Sequence, residues 1–363
     1  MWASREEART SRERTDKLVS SPHLGQVMDA TEGVHHLARW CGHDWLGASS
    51  ARTAVLEVHR IAIVHPSALP RDMSETGDNP GYRFLFQELR RLSYVEGRNL
   101  VVERYSAEGR GERFPELARE MVRTKPDLIF ATSNPLVVSF KAVTDAIPVL
   151  GFMADPVANG IVASLARPSG NITGVSNDAG FEIWSKRLQI LREVIPTASK
   201  VGYLDPAPWA GAQAVAIQET ARRAGISLLG PGLESPFEET EYRRVIAAMV
   251  QEGAEALVVS GYSPNVVHRR FIVDLVEKAR LPAIYPYRAH FEVGGLITYA
   301  SSTAELWGRL GGYIDEILRG AKPGEMPIYV PSRFELLVNL KAAKALGITI
   351  PQSMLARADE LIE

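Results

Sequence analysis

From residue 59 onward, short runs of apolar and β-branched residues alternate with stretches whose apolar positions follow helical spacing. Residues 60–64 predict a strand, which His65, Pro66 and Ser67 end. Phe84, Leu85, Leu89 and Leu92 fall on one face of a helix that stops near Gly97. Further strands are predicted at 100–105 and 127–131, with an amphipathic helix at 114–122 between them. A polar loop of Thr132, Ser133 and Asn134 then leads into a helix running to Thr144. Residues 147–153 read as a buried strand, and Asp155 with Pro156 turns the chain at its carboxyl end. Residues 161–166 predict a short helix, broken by Pro168, Ser169, Gly170 and Asn171 before a strand at 172–175.

The alternation restarts after Ser176. Strands are predicted at 200–204, 226–229, 256–259, 281–285 and 296–299, with helices at 182–194, 212–224, 239–252 and 266–279. Strands separated by helices of this length argue for βαβ units and parallel sheets. The second half also repeats the first. Residues 126–135 and 254–265 are each a strand, a polar Ser/Asn/Pro loop and a helix. Each is followed by an Ile-Pro or Leu-Pro strand, at 147 and 281, that ends in a turn with candidate ligand groups. The fold class expected is α/β, two Rossmann-like lobes whose loops face each other across a cleft. Loops at the carboxyl ends of strands are where open α/β sheets take ligands. The expected division gives 58–175 plus about 296–325 to one lobe and 176–295 plus about 326–363 to the other.

The chain has 363 residues, more than one hydrophobic core ordinarily serves. A formal charge of -2 gives no electrostatic reason to expect nucleic acid or an anionic membrane as partner. Cys41 is the only cysteine, which removes an intramolecular disulfide and any two-thiol mechanism. Residues 1–57 differ from the rest: charged and mixed in sign, they read as a poorly ordered extension without the apolar core of a secretory signal. His35, His36, Cys41 and His43 cluster there in a spacing that fits no familiar zinc pattern, so neither metal nor cofactor is expected.

Candidate ligand groups lie at the predicted strand ends. Asp155 serves either as acceptor for a ligand amine or as an N-cap for the helix that follows. Ser133 and Asn134 precede a helix, where free N–H groups favour an anion, or they cap that helix. Tyr262, Tyr285 and Tyr287 offer rings for a flat ligand, the alternative being core packing. Arg288 suits a carboxylate bidentately, the alternative being a surface charge. No nucleophile–base pair, nucleophile elbow, phosphate loop or metal-ligand spacing occurs in the sequence. The loop from His65 to Pro80 lacks the glycine fingerprint of a dinucleotide enzyme.

Several long motifs resemble one bacterial family. They are 88–99 (ELRRLSYVEGRN), 114–120 (FPELARE), Asp155 to Val157 with 164–174 (SLARPSGNITG), 281–285 (LPAIY) and 334–351 (FELLVNLKAAKALGITIP). Across residues 59–363 the chain is similar to the substrate-binding components of ABC transporters, in the TrpX-like group that includes tryptophan and tyrosine binders. The resemblance implies a type I periplasmic-binding-protein fold, with a three-stranded hinge closing two lobes on a small molecule. It implies a non-enzymatic, monomeric periplasmic receptor that delivers an amino-acid-like or aromatic solute to a permease. It sets the first lobe's ligand residues at His65, Ser67, Ser133, Asn134, Asp155 and Pro156. Those of the second lobe fall at Tyr262, Asn265, Tyr285, Tyr287 and Arg288. The alternatives are a two-lobed cytosolic enzyme and the sensor core of a regulator, the latter needing a helix-turn-helix that residues 1–57 do not show.

Overall fold

The structure, a computed structural model, describes residues 57–177, 180, 182–209 and 212–363. The N-terminal extension with His35, His36, Cys41 and His43 lies outside the described residues. The first lobe begins with β1 (His59–His65), α1 (Pro80–Arg91), β2 (Leu100–Ser106), α2 (Phe114–Thr124) and β3 (Leu128–Ala131). It continues through α3 (Asn134–Lys141), β4 (Val149–Met153) and β5 (Ile172–Ser176). The strands form a parallel five-stranded sheet in the order β2-β1-β3-β4-β5.

Both faces of this sheet are covered, which is why its strands read as unbroken apolar runs. Side chains alternate across β1. Ile61 and Ile63 join Tyr82, Leu85 and Leu89 of α1 on one face. Ala62 and Val64 join Ala118, Met121, Leu136 and Phe140 of α2 and α3 on the other. Prolines sit in the first turn of α1, α2 and α3, where a missing N–H costs nothing.

The second lobe runs α4 (Glu182–Val194), β6 (Lys200–Leu204), α5 (Ala212–Arg223), β7 (Ser227–Leu229), α6 (Glu239–Gln251) and β8 (Ala256–Val259). Then come α7 (Ser263–Val267), α8 (Arg269–Lys278), β9 (Ala283–Tyr285), α9 (Arg288–Phe291) and β10 (Ile297–Ser301). The chain returns to the first lobe as α10 (Thr303–Leu318), whose Leu306, Trp307, Leu310 and Ile314 pack in the core beside α1. It ends in the second lobe with β11 (Phe334–Asn339), α11 (Leu340–Leu346), α12 (Gln352–Leu355) and β12 (Glu360–Ile362). The second sheet has seven strands in the order β12-β11-β10-β9-β8-β6-β7, with only the β10–β11 pair antiparallel.

Two expectations are corrected here. The segment 296–325 was expected as one piece in the first lobe, but β10 pairs with β9 and β11 and belongs to the second sheet. The chain from α10 through Met326 and Ile328, which join the first lobe's cores, does return, so the boundary falls at Ser302. Residues 161–166 form no helix. Ile161 and Val162 tuck into the core, while Lys141 Nζ donates to the carbonyls of Gly160 and Ile161 and the Ile328 N–H donates to that of Leu165. Tertiary partners take the carbonyls that a helix would have used.

The lobes are linked by three crossings, after β5, at Ser302 and before β11, and they touch one another. The N–H groups of Ser176 and Tyr329 donate to the carbonyls of Tyr329 and Gly174 at 2.7 and 2.9 Å. Ser301 Oγ donates to the Asn177 carbonyl at 3.1 Å. Among the described residues no helix is long and apolar enough to cross a membrane.

Candidate functional site

In each sheet the strand order reverses at one place, between β1 and β3 in the first and between β6 and β8 in the second. Loops leaving two such strands diverge to opposite faces and open a crevice at their carboxyl ends. A cavity of about 90 Å³ lies at this level between the lobes. From the first lobe it is lined by His65, Asn79, Pro80, Gly81, Thr132 and Phe152, and from the second by Gly261, Ser263, Val266, Tyr287 and Ala289. Asn177, Ser301 and Thr303 at two of the crossings, with Leu306 and Trp307 of α10, complete it.

The apolar wall centres on Trp307. Its ring meets Tyr82 edge-on at 4.9 Å and Phe130 edge-on at 5.8 Å, and tilts against Phe152 at 5.4 Å. Gly81 makes this packing possible, because a Cβ at that position would stand 2.2 Å from Trp307 Cε2. Across the cavity Gly261 plays the same part for Tyr287, whose hydroxyl would be 2.6 Å from an added Cβ. Asn79 opens α1 by accepting from the Gly81 N–H at 3.0 Å, so the cap that starts the helix also fixes the wall.

The polar groups are oriented by partners behind them. His65 Nδ1 accepts from the N–H groups of Ser67 and Ala68 at 3.0 and 2.7 Å. Nδ1 is therefore the unprotonated nitrogen and Nε2 carries the hydrogen. Burial holds this imidazole neutral, with its pKa lowered to about 3. Thr132 Oγ1 donates to the Val64 carbonyl at 3.0 Å. Asn177 Nδ2 donates to the Tyr287 hydroxyl at 3.1 Å, and that hydroxyl donates on to the Gly261 carbonyl at 3.3 Å. The amide is thereby oriented, and its Oδ1 is a buried acceptor with no hydrogen-bond partner among the described residues. An acceptor in that condition costs about 1–3 kcal/mol, which a donor on a bound molecule would recover. The cavity thus offers a flat apolar wall, a neutral imidazole N–H and an amide oxygen.

Of the residues expected at the site, His65 and Tyr287 line this cavity, and the others are engaged elsewhere or stand behind it. Ser67 gives its N–H to His65, and its hydroxyl, like that of Ser133, is buried without a partner among the described residues. Asn134 exchanges hydrogen bonds with Ala154 at 2.6 and 2.9 Å, which ties the loop after β4 to α3. Asp155 has a φ of 36° and its Oδ1 accepts from the Ala158 N–H at 3.1 Å, so it caps a turn. Pro156 is buried, and its carbonyl accepts from Ile161 and Val162.

In the second lobe Tyr262 packs edge-on against Phe237 at 5.2 Å, and burial raises its pKa to about 12. Asn265 is fully buried, accepting from the Tyr242 hydroxyl and donating to Ser260 and to the Leu204 carbonyl. The Tyr285 ring is enclosed and stacked on His290 at 5.3 Å. Arg288 pairs with Glu335 at 2.9 Å and Glu360 at 2.6 Å, so its charge is spent within its own lobe. Asn79, Asn177 and Trp307 were not anticipated. Trp307 shares the helical spacing of Leu310 and Ile314, which marks a core position and not a cavity wall. Among the described residues no group of acidic, histidine or cysteine side chains is arranged to hold a metal ion.

A model of the ABC transporter substrate binding protein family matches residues 82–362. The chain is 23% identical over 258 residues to the tyrosine-binding protein of Clostridioides difficile strain R20291, across 70% of this chain and 73% of that protein. The structure of an ABC domain in complex with L-Trp from Streptococcus pneumoniae is similar at a TM-score of 0.71 and 22% identity, covering 84% of this chain and 100% of the other. A conserved domain protein from Vibrio cholerae gives a TM-score of 0.73 at 21% identity with the same two coverages. At these identities the structural likeness speaks for the fold.

Proposed function

Because this chain belongs to the family of ABC transporter substrate-binding proteins, we propose that it binds an amino-acid-like or aromatic solute in the cleft between its lobes and delivers it to the permease of an importer. The observation that carries this reading is the cavity at both switch points, with Trp307 and Phe152 as an apolar wall and His65, Asn177 and Tyr287 as oriented polar groups. A flat ring fits against the wall, and a ligand N–H or O–H answers Asn177 Oδ1. The tyrosine-binding relative and the L-Trp complex support the same ligand class. With the lobes closed about the three crossings, His65 and Tyr287, on opposite lobes, face one molecule.

The same reading makes the protein a non-enzymatic, monomeric periplasmic receptor without a nucleic-acid partner. The direct test is a thermal-shift screen of the full chain against L-tryptophan, L-tyrosine, L-phenylalanine and small aromatic acids. A ligand that binds only the folded state raises the melting temperature by linkage. At least one of these compounds is expected to do so, and no shift with any of them removes the proposed ligand class. Fractionation of cells making the native protein tests export, and recovery solely in the cytosol overturns the transport role.

A further inference from the structure

The rim of the cleft carries a charge contact that the cavity itself does not use. Arg269, the first residue of α8 in the second lobe, reaches the first lobe with one arm of its guanidinium. Nη2 donates to the carboxylate of Asp78 and to its main-chain carbonyl, each at 2.7 Å. Nη1 stays in its own lobe, on the Val266 carbonyl at 3.1 Å. Arg270 stands farther off, 3.7 Å from Asp78 Oδ1. Among the described residues, every ion pair that joins the two lobes ends on Asp78.

The contact is asymmetric. The Arg269 side chain is 7% exposed and that of Asp78 is 61% exposed. A guanidinium so enclosed needs its hydrogen bonds made, and two of the three it makes lie on the opposite lobe. Parting the lobes removes both together. The contact also adjoins the site on each side, since Asn79 follows Asp78 and Val266 precedes Arg269, and both line the cavity.

We infer that Asp78 and Arg269 form a latch that holds the cleft shut before any ligand binds. The geometry ranks three substitutions. Arg269→Met removes both cross-lobe hydrogen bonds. Asp78→Asn removes the charge and keeps the main-chain acceptor. Arg270→Met removes only a long, exposed contact.

The inference rests on the two-lobe cleft and not on a ligand, so the test uses the ligand-free full chain and hydrogen exchange read by mass spectrometry. Exchange through opening tracks the population of the open state. Each variant is read on the opposite lobe, where it changes no residue: Arg269→Met on the segment from Asn79 to Phe86, Asp78→Asn on the segment from Ser263 to Val267. Exchange is expected to rise on the order of tenfold for Arg269→Met, which loses two charge-assisted bonds. For Asp78→Asn it rises about two- to fivefold, the range of a partly exposed pair. Arg270→Met matches wild type, and at ~1 M salt, where the screening length is about 3 Å, wild type moves toward Asp78→Asn. Amides of β1 and β8 keep wild-type rates throughout. Unchanged exchange on the opposite lobe in both Arg269→Met and Asp78→Asn overturns the latch. So does acceleration that β1 and β8 share, which reports a weakened fold and not an opened cleft.

Discussion

Asn177 and Tyr287 meet at 3.1 Å, amide N–H to phenol oxygen, and this bond ties the first crossing to the second lobe at the cavity wall. Tyr287→Phe deletes the acceptor and leaves the amide free to turn its N–H toward the cavity, where an acceptor stood. The expected result is about a tenfold loss of affinity for whichever aromatic amino acid raises the melting temperature, with a stability cost of about 1 kcal/mol. Calorimetric titration of the variant beside wild type decides it. Equal affinity would show that the Asn177 oxygen does not meet the ligand.

Gly81→Ala sets a methyl group where the Trp307 ring now lies, 2.2 Å from Cε2. Neither the capped start of α1 nor the ring among Tyr82, Phe130 and Phe152 has room to give. The substitution is expected to cost about 1–3 kcal/mol in urea denaturation, as overpacking does. It also shifts tryptophan fluorescence to the red as the ring leaves its enclosure. A variant with unchanged stability and emission would mean that Trp307 is not confined as the contacts indicate.

Two enclosed histidines give the molecule an acid sensitivity. His65 and His290 both have pKa values lowered to about 3 by burial, and neither ring nitrogen of His290 has a partner among the described residues. A folded pKa below the unfolded one means that the unfolded chain takes the proton first. Their stability contribution is full above the unfolded pKa of ~6.5 and is lost as pH falls toward 3, roughly 2 kcal/mol for each by about pH 5. Asp205 works in the opposite sense. Burial raises its pKa to about 6, so the folded state gains stability as pH falls through that value. His290→Phe keeps the stacking on Tyr285 and removes one titration. The loss of stability between neutrality and about pH 5 should shrink by roughly 2 kcal/mol, and an unaltered acid slope would refute the assignment.

Arg288 adjoins Ala289 of the cavity wall in sequence, and its side chain is paired with Glu335 and Glu360. Arg288→Ala breaks the pairs with Glu335 and Glu360, which brace α9 against β11 and β12. A stability loss of about 1 kcal/mol is expected for partly exposed pairs, with ligand affinity unchanged. Affinity lost beyond the change in stability would return Arg288 to the ligand.

The βα alternation and the repeat were legible because a buried parallel strand writes its apolar run locally, as β1 does. What the chain order does not carry is which partner a segment meets. Strand β10 reads the same whichever sheet it joins, and its neighbour β11 is more than thirty residues on. Residues 161–166 had helical composition, but Lys141 and the Ile328 N–H took the carbonyls. At the site, strand ends were readable and side-chain commitments were not. The partners of Arg288 come from β11 and β12, and Asn265 is consumed by Tyr242 and Ser260, contacts that exist only after folding.

Between the end of β10 and the start of α10 stands one residue, Ser302. One of its neighbours is fixed in the second sheet and the other opens a helix packed in the first lobe's core, so a change of angle between the lobes must be absorbed in very few torsions there. A pivot so short behaves as a fulcrum. Trp307, Tyr82, Phe130 and Phe152 all belong to the first lobe and move as one body with it, whereas Gly261 and Tyr287 lie on the other side of the pivot. The aromatic wall therefore keeps its form whatever the angle between the lobes.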